Sequence, residues 1–230
     1  MMTDEMRVIA HIRTDFPTKF GIPRQSGLTE LRSTIVFTPE FRNEDALRGL
    51  EGFSHLWLIW KFSEAQRGTW SPTVRPPRLG GNKRLGVFAT RSPFRPNPIG
   101  LSSVKLLGTE KTVDGTVIHI SGADLMDGTP IYDIKPYLAY TDSHPEALGG
   151  FADERLGYRL EVEIPDELTE RFPKAKLKAL EEILSNDPRP QYISDPQRVF
   201  GFPFAGYEIH FTVRDDLLTV TGIDKLSDNK

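Results

Sequence analysis

Asp124-Leu125-Met126-Asp127-Gly128 sets two carboxylates three residues apart around a turn. The segment looks built for more than folding, although Asp caps turns readily, which taken alone is the plainer use. Further on, Asp133-Ile134-Lys135-Pro136-Tyr137 puts Asp133, Lys135 and Tyr137 on one face of a strand. A solvent-facing strand would show the same row. Phe20-Gly21-Ile22-Pro23-Arg24-Gln25-Ser26-Gly27 is a loop fixed by glycine and proline that carries a cation and an amide. A ligand loop and a surface turn fit it equally.

The charge distribution is more telling. Between Gln66 and Thr109 there are eight cations, Arg67, Arg75, Arg78, Lys83, Arg84, Arg91, Arg95 and Lys105, and no Asp or Glu. The rest of the chain holds 21 cations against 32 acids, so a net charge of −3 hides a segregated basic strip. That pattern points to one localised anion. Arginine dominates, which suits bidentate contacts to phosphate or carboxylate. Trp70, Phe88 and Phe94 lie in the same strip and suit base stacking or core packing.

Several chemistries are excluded. With no cysteine there is no thiolate nucleophile, iron–sulfur cluster or disulfide. The five histidines, at 11, 55, 119, 144 and 210, show no metal-ligand spacing, and no metal is expected. His55, inside an apolar run, reads as a core histidine. Gly80-Gly81-Asn82-Lys83-Arg84 lacks the Gly-Lys-Ser/Thr ending of a phosphate loop, and no Gly-x-Gly-x-x-Gly or Gly-x-Ser-x-Gly occurs. Composition and spacing stop at an anion-binding, β-rich domain with an Arg-rich mouth.

The elements that must position these groups are mostly strands. Arg7 to Arg13, Thr34 to Thr38, Phe53 to Phe62, Gly86 to Thr90, Leu101 to Leu107, Val117 to Ile120 and Ile131 to Ile134 read as strands. Asp114-Gly115 makes a hairpin turn, and the three prolines in Ser92 to Pro98 fix an extended loop. The expected fold is mainly β, a closed or half-closed barrel up to about Tyr140. A small α/β domain follows, with a helix marked by Leu177, Leu180, Ile183 and Leu184 and a hairpin of Tyr207 to Val213 with Leu218 to Ile223. The domains are taken as residues 1–150 and 151–230. At 230 residues and 26.0 kDa the chain needs no covalent staple. Neither a secretory leader nor a membrane span is read, so a soluble, cytoplasmic protein is expected.

Read together, these segments resemble the TsaA-like family, closely its bacterial TrmO members. The resemblance rests on Pro23-Arg24-Gln25, on Arg48-Gly49-Leu50-Glu51-Gly52-Phe53-Ser54-His55-Leu56-Trp57, and on Val74-Arg75-Pro76-Pro77-Arg78-Leu79-Gly80-Gly81-Asn82. The longest motif is Gly86 to Gly100, centred on Arg91-Ser92-Pro93-Phe94-Arg95-Pro96-Asn97-Pro98. Asp127-Gly128-Thr129-Pro130, Asp133 to Tyr137 and Asp187-Pro188-Arg189-Pro190 complete it.

The resemblance implies an S-adenosylmethionine-dependent methyltransferase with a β-barrel fold. Its acceptor would be N6 of N6-threonylcarbamoyladenosine, beside the anticodon of threonine tRNA, and it would act as a homodimer. The implied cofactor contacts are Pro23, Arg24, Gln25, Ser63, Glu64, Arg91, Leu101, Asp124, Leu125, Met126 and Asp127. Relatives usually carry His or another polar residue where Ser63-Glu64 stands. For the reaction itself Asp133, Lys135 and Tyr137 are the catalytic candidates, as proton acceptors or stabilisers of the deprotonated nitrogen. Arg75, Arg78, Arg84, Phe94 and Arg95 are the candidates for holding the anticodon arm. Another acceptor, or an RNA-binding protein without chemistry, remains the alternative.

Overall fold

The computed structural model describes residues 5–65, 69–76, 83–155, 157–189 and 195–227. Six strands close into a ring: β1 (Ala10–Arg13), β2 (Arg32–Phe37), β3 (His55–Lys61), β6 (Ile99–Thr112), β7 (Gly115–Ser121) and β8 (Pro130–Pro136), in the order β1-β2-β7-β6-β3-β8. Every pairing is antiparallel, and β8 returns to β1 through Ala10 opposite Ile131. Alternation puts Leu56, Leu58 and Trp60 of β3 inside with Ile12, Ile35, Val104, Ile118, Ile120 and Ile131. Closure leaves no sheet edge to protect.

Two short strands, β4 (Thr73–Val74) and β5 (Leu85–Gly86), form a separate hairpin within the basic strip. The expected strand over Gly86 to Thr90 is corrected here. Pairing stops at Gly86, and Val87–Ala89 makes a 3-10 turn that buries Val87. His55 is corrected too: it opens β3 on the outer face, exposed, with Nδ1 at 2.9 Å from the Ser54 hydroxyl.

Beyond the barrel come α1 (Ala139–Asp142), β9 (Glu161–Glu163), α2 (Asp166–Thr169) and α3 (Lys174–Ser185), then β10 (Phe200–Phe204), β11 (Tyr207–Arg214) and β12 (Leu217–Lys225). The last three strands and β9 form a sheet of order β10-β11-β12-β9, with β9 parallel to β12. Helix α3 lays Leu180, Ile183 and Leu184 against Phe202, Phe211, Leu218 and Val220. This second core also takes in Phe16 and Leu31, from the loop that joins β1 to β2. Gly21 of that loop has φ +88°, and a side chain there would run into the Phe202 ring. The long β1–β2 loop is thus anchored in the far sheet while its ends belong to the barrel. No helix among the described residues is long and apolar enough to cross a membrane.

Candidate functional site

A cleft of about 530 Å³ opens where the β1–β2 loop, the end of β3, the Thr90 to Pro98 loop and the Asp124 segment meet. Pro23, Arg24, Gln25, Ser63, Glu64, Arg91, Leu101, Asp124 and Met126 all line it, so nine of the eleven expected cofactor contacts come together. Leu125 instead fills the barrel core, 1% exposed. Asp127 faces away, its Oδ1 accepting the Thr14 backbone N–H at 2.9 Å. Thus the two carboxylates of the turn have separate uses: Asp127 ties the turn to the β1–β2 loop and Asp124 faces the cleft.

The walls of the cleft are stitched together by backbone. Gly27 N–H donates to Gly122 O at 2.9 Å, and Asp127 N–H donates to Phe16 O at 2.8 Å. Arg24 reaches the far unit, donating through Nη2 to the carbonyls of Asp187 at 2.6 Å and Arg189 at 3.2 Å. Those carbonyls are presented by a tight device. Asp187, 2% exposed and in the left-handed region at φ 53°, takes both Nε (2.8 Å) and Nη2 (3.1 Å) of Arg189. Across the mouth, Arg91 Nη1 donates to Gln25 Oε1.

Asp124 is held from inside the barrel. Trp60 Nε1 donates to Ser102 Oγ at 3.0 Å, and Ser102 Oγ donates to Asp124 Oδ1 at 2.5 Å. Burial pushes the Asp124 carboxyl above its ordinary value. The Ser102 hydroxyl, its own backbone N–H, the Arg91 charge and the Ser26 backbone oppose that shift. Asp124 makes no ion pair with a described residue. Gly100, which also lines the cleft, faces the Trp60 ring so closely that no side chain fits. Ser102 was missed in the sequence. Its signal is an inward Ser in the row Gly100, Ser102, Val104 of a barrel strand.

The catalytic candidates lie elsewhere. Ile59, on the outer face of β3, pairs with Asp133 on one side and Leu101 on the other. Asp133 and Lys135 therefore sit on the outer barrel wall, joined by a 2.7 Å ion pair, and Tyr137 leans on Trp57 with ring centroids 5.4 Å apart. None of the three lines the cleft. Asp133 is two strands from Leu101, about 10 Å at the usual strand spacing.

Of the expected RNA contacts, Arg75 and Arg84 are exposed, the latter with Nη1 at 3.4 Å from the Thr73 hydroxyl. Arg95 lines the cleft and donates to the carbonyls of Val87 (3.1 Å) and Thr90 (2.6 Å). Phe94 is half-buried, and its carbonyl accepts the Ser71 N–H. Arg78 lies outside the described residues. Among the described residues no group of acids and histidines is arranged to hold a metal.

Comparison with known proteins assigns this architecture. Residues 11–143 match the family described as the tRNA-methyltransferase O N-terminal domain, and residues 158–226 match the TrmO C-terminal domain. The tRNA (adenine(37)-N6)-methyltransferase of Escherichia coli is 42% identical over 200 residues, 84% of this chain and 85% of that protein. A Pseudomonas aeruginosa protein named putative S-adenosylmethionine-dependent methyltransferase RcsF is 39% identical, covering 96% of this chain and 98% of its own. The crystal structure of TrmO from Pseudomonas aeruginosa superposes with a TM-score of 0.77 at 35% identity, over 96% of this chain and 99% of that one. The chain belongs to the tRNA-methyltransferase O family.

Proposed function

We propose that the protein transfers a methyl group from S-adenosylmethionine to N6 of the modified adenosine beside the anticodon of tRNA. The observation that carries this reading is the cleft, in which the loop bearing Pro23-Arg24-Gln25 and the segment bearing Asp124 converge below an acid-free basic strip. The family match and the names of its relatives support it. Residues 1–150 carry the cleft in this reading, and 151–230 brace its loop.

The donor set fits the cofactor. A volume of about 530 Å³ is within the usual range for a small-molecule site. Ile22, Pro23, Phe62, Leu101 and Met126 offer apolar surface for a nucleoside. Asp124 and Glu64 offer carboxylates to a cation, and Arg91 and Gln25 offer a cation and an amide to a carboxylate. The cofactor supplies a methyl group already activated on a sulfonium sulfur, so the protein's task is placement and charge.

Asp124, half-buried in the cleft wall, neutralises positive charge that few other groups in the cleft can meet. Arg95, pinned to two carbonyls, brings a fixed guanidinium to the rim. There it stabilises negative charge on an acceptor nitrogen that has lost its proton. Asp133, Lys135 and Tyr137 remain the proposed proton-handling groups only if the acceptor extends over the outer wall. Glu64, within the cleft itself, is better placed to take the proton. A threonylcarbamoyl group would bring its own carboxylate to the arginines, and plain adenosine would leave them unpaired.

A threonine tRNA acceptor, a homodimer and a cytoplasmic setting are the finer parts of this reading. Its test is label transfer from S-adenosylmethionine to threonine tRNA carrying either threonylcarbamoyladenosine or plain adenosine. Label is expected in the first and absent from the second. Label in neither, with the cofactor bound, moves the reading to another acceptor.

The exposed strip should grip phosphates. Arg75→Ala and Arg84→Ala are each expected to weaken tRNA binding and to flatten its salt dependence by about one counterion. Filter binding across a salt series measures this, and an unchanged slope removes that residue from the phosphate contacts.

A further inference from the structure

We propose that Trp70 and Phe88 form a stacking platform for an unpaired base of the tRNA, next to the nucleotide that enters the cleft. The proposal rests on the tRNA reading above.

Single exposed apolar side chains are ordinary, but adjoining ones make a patch of the kind that marks an interaction site. Phe88 is 71% exposed and Trp70 49% exposed. The two are partners, with ring centroids 6.3 Å apart and planes only 24° from parallel. The Arg95 guanidinium lies 5.7 Å from the Phe88 centroid, the cation–π arrangement seen where proteins hold stacked bases.

The segments that carry the pair are tied together. Val87, buried beneath the turn that carries Phe88, donates its N–H to Pro72 O at 3.0 Å, and Ser71 N–H donates to Phe94 O at 3.2 Å. These bonds tie the turn to the segment that carries Trp70. Arg95, itself pinned to Val87 and Thr90 carbonyls, completes the floor. Holding the two segments in register beforehand lowers the ordering cost when a base settles on them.

Position and charge choose the occupant. Arg95 lines the cleft and also covers Phe88, so the platform is one guanidinium away from the site. Exposed Arg75, Lys83 and Arg84 flank it on the β4–β5 hairpin, and the strip holds no acid. A single-stranded loop offers both a phosphate chain for the cations and bases free to stack, whereas paired RNA keeps its bases inside.

Intrinsic fluorescence reads this by difference between wild type and Trp70→Phe, because the chain has two further tryptophans, Trp57, which donates to Asp142, and Trp60, which donates to Ser102 and lines the cleft. Titrating the full-length protein with a synthetic anticodon stem-loop RNA should quench the Trp70 emission, so the wild type should show a larger quench than Trp70→Phe, and equal quenching in the two overturns the platform. Phe88→Ala is expected to weaken stem-loop binding by about 5–100-fold, the cost of losing one stacked base. The loss should fall on KM for tRNA, with S-adenosylmethionine affinity within twofold of wild type. Phe88→Tyr should recover most of it. The salt slope should not move, since stacking releases no counterion.

A Phe88→Ala protein that binds the stem-loop as wild type does, while the wild type methylates tRNA, overturns the platform alone. Wild-type protein that shows Phe88-dependent RNA binding but methylates no tRNA supports the platform and overturns the methyltransferase reading. If Trp70→Ala and Phe88→Ala instead split an assembly of this chain without touching RNA affinity, the patch is a contact between copies and the proposal is overturned.

Discussion

Replacing Asp124 with Asn will weaken S-adenosylmethionine binding by at least about 30-fold and will also raise the melting temperature at neutral pH. The first effect follows from truncating one partner of a desolvated charge pair, which costs roughly 2 kcal/mol or more. The second follows from the free protein. Asp124 is half-buried against Ser102, with no described ion-pair partner, and the desolvation raises its pKa. A raised pKa means the folded state prefers the protonated acid. That contribution is fully present below the unfolded value and is lost as pH rises through the folded one.

Asn is neutral at every pH and can still accept the Ser102 hydroxyl. The variant should therefore match wild type near pH 3–4, about the unfolded value, and exceed it above the folded pKa. A chain of this size gains about 2–4 °C for each ~1 kcal/mol relieved. Calorimetric titration and melting curves from pH 4 to 8 measure both effects. Normal cofactor affinity in Asp124→Asn would remove Asp124 from the binding site.

The second large effect is expected at a distance from the cleft. Asp187→Ala leaves the Arg189 side chain, 16% exposed, without its bidentate partner. Breaking a buried pair from one side costs about 3–5 kcal/mol, so the melting temperature should fall by roughly 6–20 °C. The same change frees the carbonyls that hold Arg24, and cofactor affinity should fall about tenfold or more at a temperature where the variant is still folded. Arg24→Ala should reproduce the affinity loss with a much smaller change in melting temperature. That split separates positioning of the loop from general destabilisation. A folded Asp187→Ala with wild-type affinity would falsify the positioning role.

Much of this was legible in the sequence, for local reasons. The β6–β7 hairpin is announced by Asp114-Gly115, α3 by its apolar face and the β11–β12 hairpin by strict alternation. The family resemblance, rather than any local pattern, pointed to the nine residues that line the cleft. What was hidden is non-local. Phe200-Gly201-Phe202-Pro203-Phe204 alternates well, yet its Gly and Pro argue against a strand until it is seen on an edge, paired only with β11. Arg24 binds carbonyls, which carry no side-chain signature. Leu125 and Asp127 share a motif with Asp124 but serve packing and capping, a division only the turn's geometry reveals. Asp133, Lys135 and Tyr137 share a face as expected, on the wall outside the cleft.

The anchoring of the β1–β2 loop in the far sheet sets a timetable for the nascent chain. The ring needs nothing beyond Pro136, whereas Phe16, Phe20, Ile22 and Leu31 wait for Phe202 and its neighbours. At about 5–20 residues per second the stretch from Pro136 to Phe202 takes roughly 3–13 s. Through it the ribosome carries a finished barrel with four large apolar side chains unhoused, and the binding loop becomes ordered last. Premature termination anywhere before β10 would then yield a chain able to aggregate and unable to hold its ligand.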